Sequence, residues 1–146
     1  MGEDTTDRSK FLKAIKKCLS DASGFFQDAM DSLDEIGKAS SRTAMTGIFG
    51  GLILKNSEGN YRTAIINLDS AEKSLHPLAK RVRDGRVNES HFDNPEALVL
   101  LKDIIDFDYG ILIQFLSERR GRDSVWYRLR EINEKTESVL NHVSEK

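Results

Sequence analysis

The stretch from Arg8 to Ile36, RSKFLKAIKKCLSDASGFFQDAMDSLDEI, decides the fold. Phe11, Ile15, Cys18, Leu19, Ala22, Phe26, Ala29, Leu33 and Ile36 recur at steps of three and four, and Leu12, Phe25 and Met30 widen the same stripe. An apolar stripe of that period belongs to an amphipathic helix that buries one face. Held for about seven turns, it predicts a long first helix. Thr6 or Asp7 can cap its start and Gly37 suits its end, which leaves residues 1–7 as a flexible tail. Gly24 falls on the polar side, where it costs about 1 kcal/mol relative to alanine.

Working outward, Met45, Ile48, Phe49, Leu52 and Ile53 keep a helical spacing, while Gly47, Gly50 and Gly51 weaken any helix there. Gly47 and Gly51, four apart, would place two bare backbone patches on one face and permit close approach of a neighbour. Asn56 to Asn60 reads as a break or tight turn. Helical spacing returns with Ala64, Ile65, Leu68, Ala71, Leu75, Leu78 and Val82, and Pro77 predicts a kink or an end near Leu75. Gly85 to Asn94 reads as a polar connection. Asp93-Asn94-Pro95-Glu96 combines a capping side chain, a first-turn proline and an acid at the positive helix end. It opens a very apolar helix that runs to about Ser117. Gly121 ends that helix and Asp123 or Ser124 caps the last, which carries Val125, Leu129, Ile132, Thr136, Val139 and Val143. No alternating run is long enough for a strand. The expected fold is all-α: one domain spanning 1–146, an up-and-down bundle of four or five helices with a long first helix.

Charge along the first and last helices is divided. Lys10, Lys13, Lys16 and Lys17 precede Asp21, Asp28, Asp31, Asp34 and Glu35; Arg119, Arg120, Arg122, Arg128 and Arg130 precede Glu131, Glu134 and Glu137. Laid antiparallel, the two helices match bases to acids over their length. Single exposed pairs contribute only about 0–1 kcal/mol, but such patterns select orientation. The first and last helices are therefore expected to be antiparallel neighbours. The alternatives are two solvated faces, or a match between two chains of a dimer.

With 146 residues, 38% of them hydrophobic and 32% charged, the chain can bury one core and is no candidate for wholesale disorder. A net charge of −2 gives no global attraction for nucleic acid or an anionic membrane. The single cysteine, Cys18, excludes a disulfide framework and fits a reducing, cytoplasmic setting. The longest apolar run, Ala44 to Leu54, is far short of the ~20 residues of a spanning helix. The N-terminus does not read as a signal peptide. Gly2 followed by Thr6 meets the loose myristoylation pattern, but Glu3 and Asp4 oppose an anionic surface.

Asp108 is the most informative single residue. On one continuous helix over 95–117, at about 100° per residue, its carboxylate points among Leu101, Ile104, Ile105, Leu112 and Phe115. A buried carboxylate must find a partner or stay protonated. Asp108 is thus expected as a buried polar residue, structural first and an interior catalytic acid as the alternative. Glu72 and His76 lie one turn apart but make no metal site alone; His91 and His142 are expected at the surface. Phosphate-binding glycine loops and nucleophile motifs are missing, so no catalytic residue, cofactor or metal ligand is assigned. Two basic clusters remain: Lys80, Arg81, Arg83 and Arg86, and Arg119 to Arg130 beside Trp126 and Tyr127. Arginines beside aromatics can hold phosphates and stack bases, or pair within the chain.

Gly59-Asn60-Tyr61, Ala64-Ile65, Leu68 and Ala71, with Pro77 beyond, resemble the second helix of a tetratricopeptide repeat over about nineteen residues. The resemblance implies close helix stacking and a peptide-binding surface. Pro77 is one residue late and no second copy exists. Arg86-Val-Asn-Glu-Ser-His91 is similar to the Arg-x4-His signature of the HEPN helical ribonucleases, though it lies in a connection rather than at a helix start. The function expected from the whole is a non-catalytic interaction or assembly module, with self-association or a protein partner and no membrane. Its candidate surfaces are Gly47 and Gly51, or Arg119, Arg120, Arg122, Trp126, Arg128 and Arg130. The alternatives are a nucleic-acid-binding protein using 80–86 and 119–130, and a hydrolase built on Asp108.

Overall fold

The face read from residues 8–36 is the face that is buried: Ile15, Leu19, Ala22, Phe26 and Ala29 have no exposed surface. In the computed structural model the backbone is described for residues 2–46 and 50–144, with side chains for 7–37 and 57–144. Five helices follow in order: α1 (Gly2–Thr46), α2 (Gly50–Arg83), α3 (Pro95–Asp106), α4 (Tyr109–Ser117) and α5 (Arg122–Asn141). Among the described residues the only β feature is an isolated antiparallel bridge between Phe92 and Val143. The class is all-α, with a long first helix.

α1 and α2 form a hairpin whose open end brings the Arg81 guanidinium over the Phe11 ring, 5.5 Å from its centroid. α1 and α5 are antiparallel: Ser23 Oγ donates to Asn133 Oδ1 at 2.7 Å, and Gly37 lies beside the Arg122 guanidinium. α3 and α4 together make the third traverse, and Asp103 reaches Lys135 on α5 at 3.7 Å. The bundle is therefore up, down, up, down. The last helix buries Val125, Leu129, Ile132, Thr136 and Val139 of its expected stripe, and Val143, also buried, lies just beyond it in the bridge to Phe92.

Several boundaries differ from the sequence reading. α1 starts at Gly2 rather than at Thr6 or Asp7, so residues 2–7 are helical backbone, and it runs through Gly37. A Cβ there would lie 3.8 Å from the Arg122 guanidinium, an ordinary contact, so the position does not require glycine and the helix continues through it. α2 runs unbroken through Asn56–Asn60. One helical glycine costs only about 1 kcal/mol, and the apolar face of α2 that follows, with Ala64, Leu68, Ala71, Leu75 and Leu78 buried, carries the helix through it. Pro77 also stays inside α2, on its exposed side, where the unpaired carbonyl one turn back meets solvent. α2 ends instead at Gly85, which takes φ 74° while Arg86 N donates to Arg81 O at 2.8 Å. The connection that follows is not uniformly polar: Val87, His91 and Phe92 are buried around a 3-10 turn at Glu89–His91. Asn94 caps α3 through Glu96 N at 2.9 Å, as expected. Gly121, with φ 68°, is the N-cap of α5, and neither Asp123 nor Ser124 plays that part.

The largest departure is a break in the expected 95–117 helix. Phe107 turns extended, with ψ 139°, and Asp108 begins a new helix by accepting from Ile111 N at 3.3 Å. Tyr109, buried, donates its phenol hydrogen to Ile104 O at 2.7 Å and so satisfies a carbonyl that α3 leaves open. Asp108 is consequently exposed, not buried. The expected interior carboxylate rested on one continuous helical wheel, and the break rotates the residue out.

Candidate functional site

The arginine surface is largely occupied by the chain's own groups. Arg119 ends α4 in a left-handed conformation (φ 58°), with Arg120 N donating to Phe115 O and Arg119 N to Leu116 O. That is a helix stop in which arginine stands where glycine is usual. Its side chain holds the geometry. Nη1 donates to Leu116 O at 2.7 Å, Nε donates to Glu58 Oε1 at 2.9 Å, and the guanidinium lies over the Tyr61 ring. The forked hydrogen bond lowers the Glu58 carboxyl pKa and raises that of Arg119. Arg120 pairs with Glu118 and covers Phe115. Arg122 pairs with Asp123, and Arg130 pairs with Glu134 while lying over Trp126. Arg128 differs: it is exposed and has no hydrogen-bond, ion-pair or ring partner among the described residues. Trp126 is half-buried with its Nε1 enclosed and unpaired. Gly47 lies outside the described residues, and Gly51 is placed only by the α2 backbone.

Arg86 and His91 do not converge on a site. Arg86 is exposed, whereas His91 is buried, accepts from Asn88 N through Nδ1 at 3.2 Å, and meets the Phe11 ring edge at 5.0 Å. Burial first, and the Arg8 charge with it, hold its pKa below the ordinary value. Above about pH 6.5 the imidazole is neutral folded or unfolded; below it the unfolded chain takes up the proton first. Stability should therefore fall as pH drops from about 6.5 to the lower folded value, then level off. Urea midpoints at pH 7 and pH 5 for the wild type and His91→Gln check this. The variant should show the shallower dependence; equal slopes would contradict it.

Burial pushes the Cys18 thiol and the Tyr109 phenol upward, away from thiolate or phenolate chemistry. A groove of about 290 Å³ beside α2 gathers Glu72, His76, Arg83 and Asp106. Among the described residues, however, no cluster of three or more His, Cys, Asp or Glu side chains can hold a metal ion. A second groove of about 320 Å³, between α1 and α5, is lined by Asp34, Arg122, Asp123, Trp126 and Tyr127. No described helix is long and apolar enough to cross a membrane.

The third groove has a different character. It holds about 390 Å³ between α4 and α5, with the buried Leu112 and Val125 beneath and Phe107, Ile111 and Phe115 along it. Ile111 is 47% exposed, and Asp108, Ser124 and Arg128 supply the polar edge. Sequence reasoning placed Phe115 near the core direction and missed the stripe of Phe107, Ile111 and Phe115. The available signal was Asp108 read as a helix cap, since an aspartate three residues before an amide is a capping arrangement. No protein-family model, curated protein or solved structure matches the chain.

Proposed function

We propose that the protein is a non-catalytic helical interaction module that docks a protein segment in the groove between α4 and α5. The observation that carries this reading is the exposed Ile111 between the half-buried Phe107 and Phe115, beside Arg128, which has no partner among the described residues. Apolar anchors around an enclosed floor, with a charged edge, are the composition of a binding centre. The nucleic-acid reading has less support, because Arg119, Arg120 and Arg130 are spent on pairs within the chain. The hydrolase reading loses its residue, since Asp108 is an exposed cap.

A photo-crosslinking amino acid placed at Ile111 tests the proposal in the full chain, with Val99 on α3, 61% exposed, as the control site. Discrete protein adducts should form from position 111 and not from position 99, and Arg128→Glu should suppress them. Equal labelling at both positions, or none at 111, would remove the groove as a docking surface.

A further inference from the structure

We propose that the closed end of the α1–α2 hairpin seats in the interface of an anionic lipid bilayer without crossing it. The first argument is position. α5 starts at Arg122 beside Gly37, and the chain just past α4 is tied to α2 where Arg119 bonds Glu58. α1 nevertheless runs on from Gly37 to Thr46, and α2 already begins at Gly50. The start of α1 and the Phe92–Val143 bridge lie at the opposite end of the bundle, where Phe11 meets His91. About 12–14 Å of helical hairpin therefore stands beyond the other described elements. Residues 47–49, which join its two helices, lie outside the described residues.

The second argument is charge. Ile36 to Ser57 contains no aspartate or glutamate, the longest such stretch in a chain that has 24 acids. Lys38, Arg42 and Lys55 make that stretch positive, a segregation that the net charge of −2 averages away. Thr43 to Leu54, between Arg42 and Lys55, carries no charge and includes Met45, Ile48, Phe49, Leu52, Ile53 and Leu54. Arg42 lies four residues before the end of α1, and Lys55 lies five after the start of α2. Both bases thus stand about 6–8 Å down from the helix ends, at one height on two antiparallel helices. An uncharged, apolar end above a level of bases matches the layering of an anionic membrane surface, where acyl chains lie beneath phosphates. The uncharged run is far short of the ~20 residues of a spanning helix, so the hairpin enters one leaflet only. Nucleic acid would satisfy the bases and leave the apolar run in water. A second copy would set three positive charges against three.

Co-sedimentation of the full chain with phosphatidylcholine vesicles, with and without about 30% phosphatidylserine, tests this. Far-UV circular dichroism confirms that each variant is folded. The wild type should pellet with the anionic vesicles and stay in solution with the neutral ones. Raising salt from about 0.1 to 0.5 M should weaken binding roughly fivefold or more. Phe49→Glu should weaken it about tenfold or more, because it puts a negative charge into the uncharged run. Arg42→Ala and Lys55→Ala should each cost about fivefold, the share of one base near an anionic surface. Ile66→Glu adds the same charge at an exposed site of α2 within the bundle, and should change binding by less than about twofold. Entry into the leaflet is read from Phe49→Trp, whose added emission should shift to the blue and be quenched by lipids brominated on the acyl chains. Trp126, the one tryptophan of the wild type, should not be quenched. A wild type that stays in solution with anionic vesicles, or pelleting that Phe49→Glu leaves unchanged, would overturn the proposal. Dimerisation without vesicle binding, lost in Phe49→Glu, would assign the hairpin end to a second copy and overturn it as well. The hairpin end shares no residue with the α4–α5 groove, so adducts from position 111 stand or fall separately.

Discussion

Replacing Phe26 with alanine should lower the stability of the folded chain by about 3–5 kcal/mol. The ring is fully buried on α1 and stacks on Tyr109 of α4, with centroids 5.7 Å apart and planes 19° from parallel. It therefore joins the first traverse of the bundle to the third, and its loss removes transfer free energy and opens a void between two helices at once. Domains of this size are stable by only about 5–15 kcal/mol, so the loss is a large fraction of the total. With a denaturant slope of about 2 kcal/mol per M, the urea midpoint should fall by roughly 2 M. Ile66→Ala serves as the reference, because that side chain is 63% exposed on α2 and should change stability by no more than about 0.5 kcal/mol. A Phe26→Ala midpoint indistinguishable from that of Ile66→Ala would mean that the ring does not bridge α1 and α4.

The same residue marks where sequence reading succeeds. Phe26 and Leu129 were assigned to buried faces because a repeat of three and four residues sums many small preferences in one direction, and nothing local competes with it. The antiparallel pairing of α1 and α5 follows the divided charges, although the described hydrogen bond across that seam is the neutral Ser23–Asn133 contact. Lys17 and Arg130 pair instead within their own helices, with Asp21 and Glu134. Charge read out the orientation without naming the partners.

Punctuation was less legible. Gly37, Gly59 and Pro77 each weaken a helix locally by about 1–3 kcal/mol, and each is overridden by a long packed face around it. Conversely, the apolar residues of 95–117 did not announce the stop at Phe107, since Leu101, Ile104, Ile105, Leu112 and Phe115 keep one helical direction when a single wheel is drawn through the break. The wheel drawn through the break then turned Asp108 inward and hid the groove beside it. The surface placement expected for His91 fails for a different reason: the residue is buried against Phe11, eighty residues away in sequence.

The break itself yields the sharpest energetic test. Tyr109→Phe leaves ring packing intact but strands the Ile104 carbonyl in a buried setting, at a cost of about 1–3 kcal/mol. Asp108→Ala removes the cap on Ile111 N and should cost about 0.5–2 kcal/mol, whereas Asp108→Asn should be nearly neutral. The two side chains are adjacent, and each fixes one side of the same turn: Tyr109 holds the end of α3, and Asp108 holds the start of α4. Once α3 loosens, the cap secures a helix start whose position is no longer defined, so part of its worth is already gone. The double variant should accordingly lose less than the sum of the singles, by about 0.5 kcal/mol or more. Urea denaturation of the four proteins measures that coupling directly. Strict additivity would mean that the ends of α3 and α4 are held independently, and that the turn at Phe107 is set by the apolar contacts of its ring with Tyr109, 5.0 Å apart, rather than by its two hydrogen bonds.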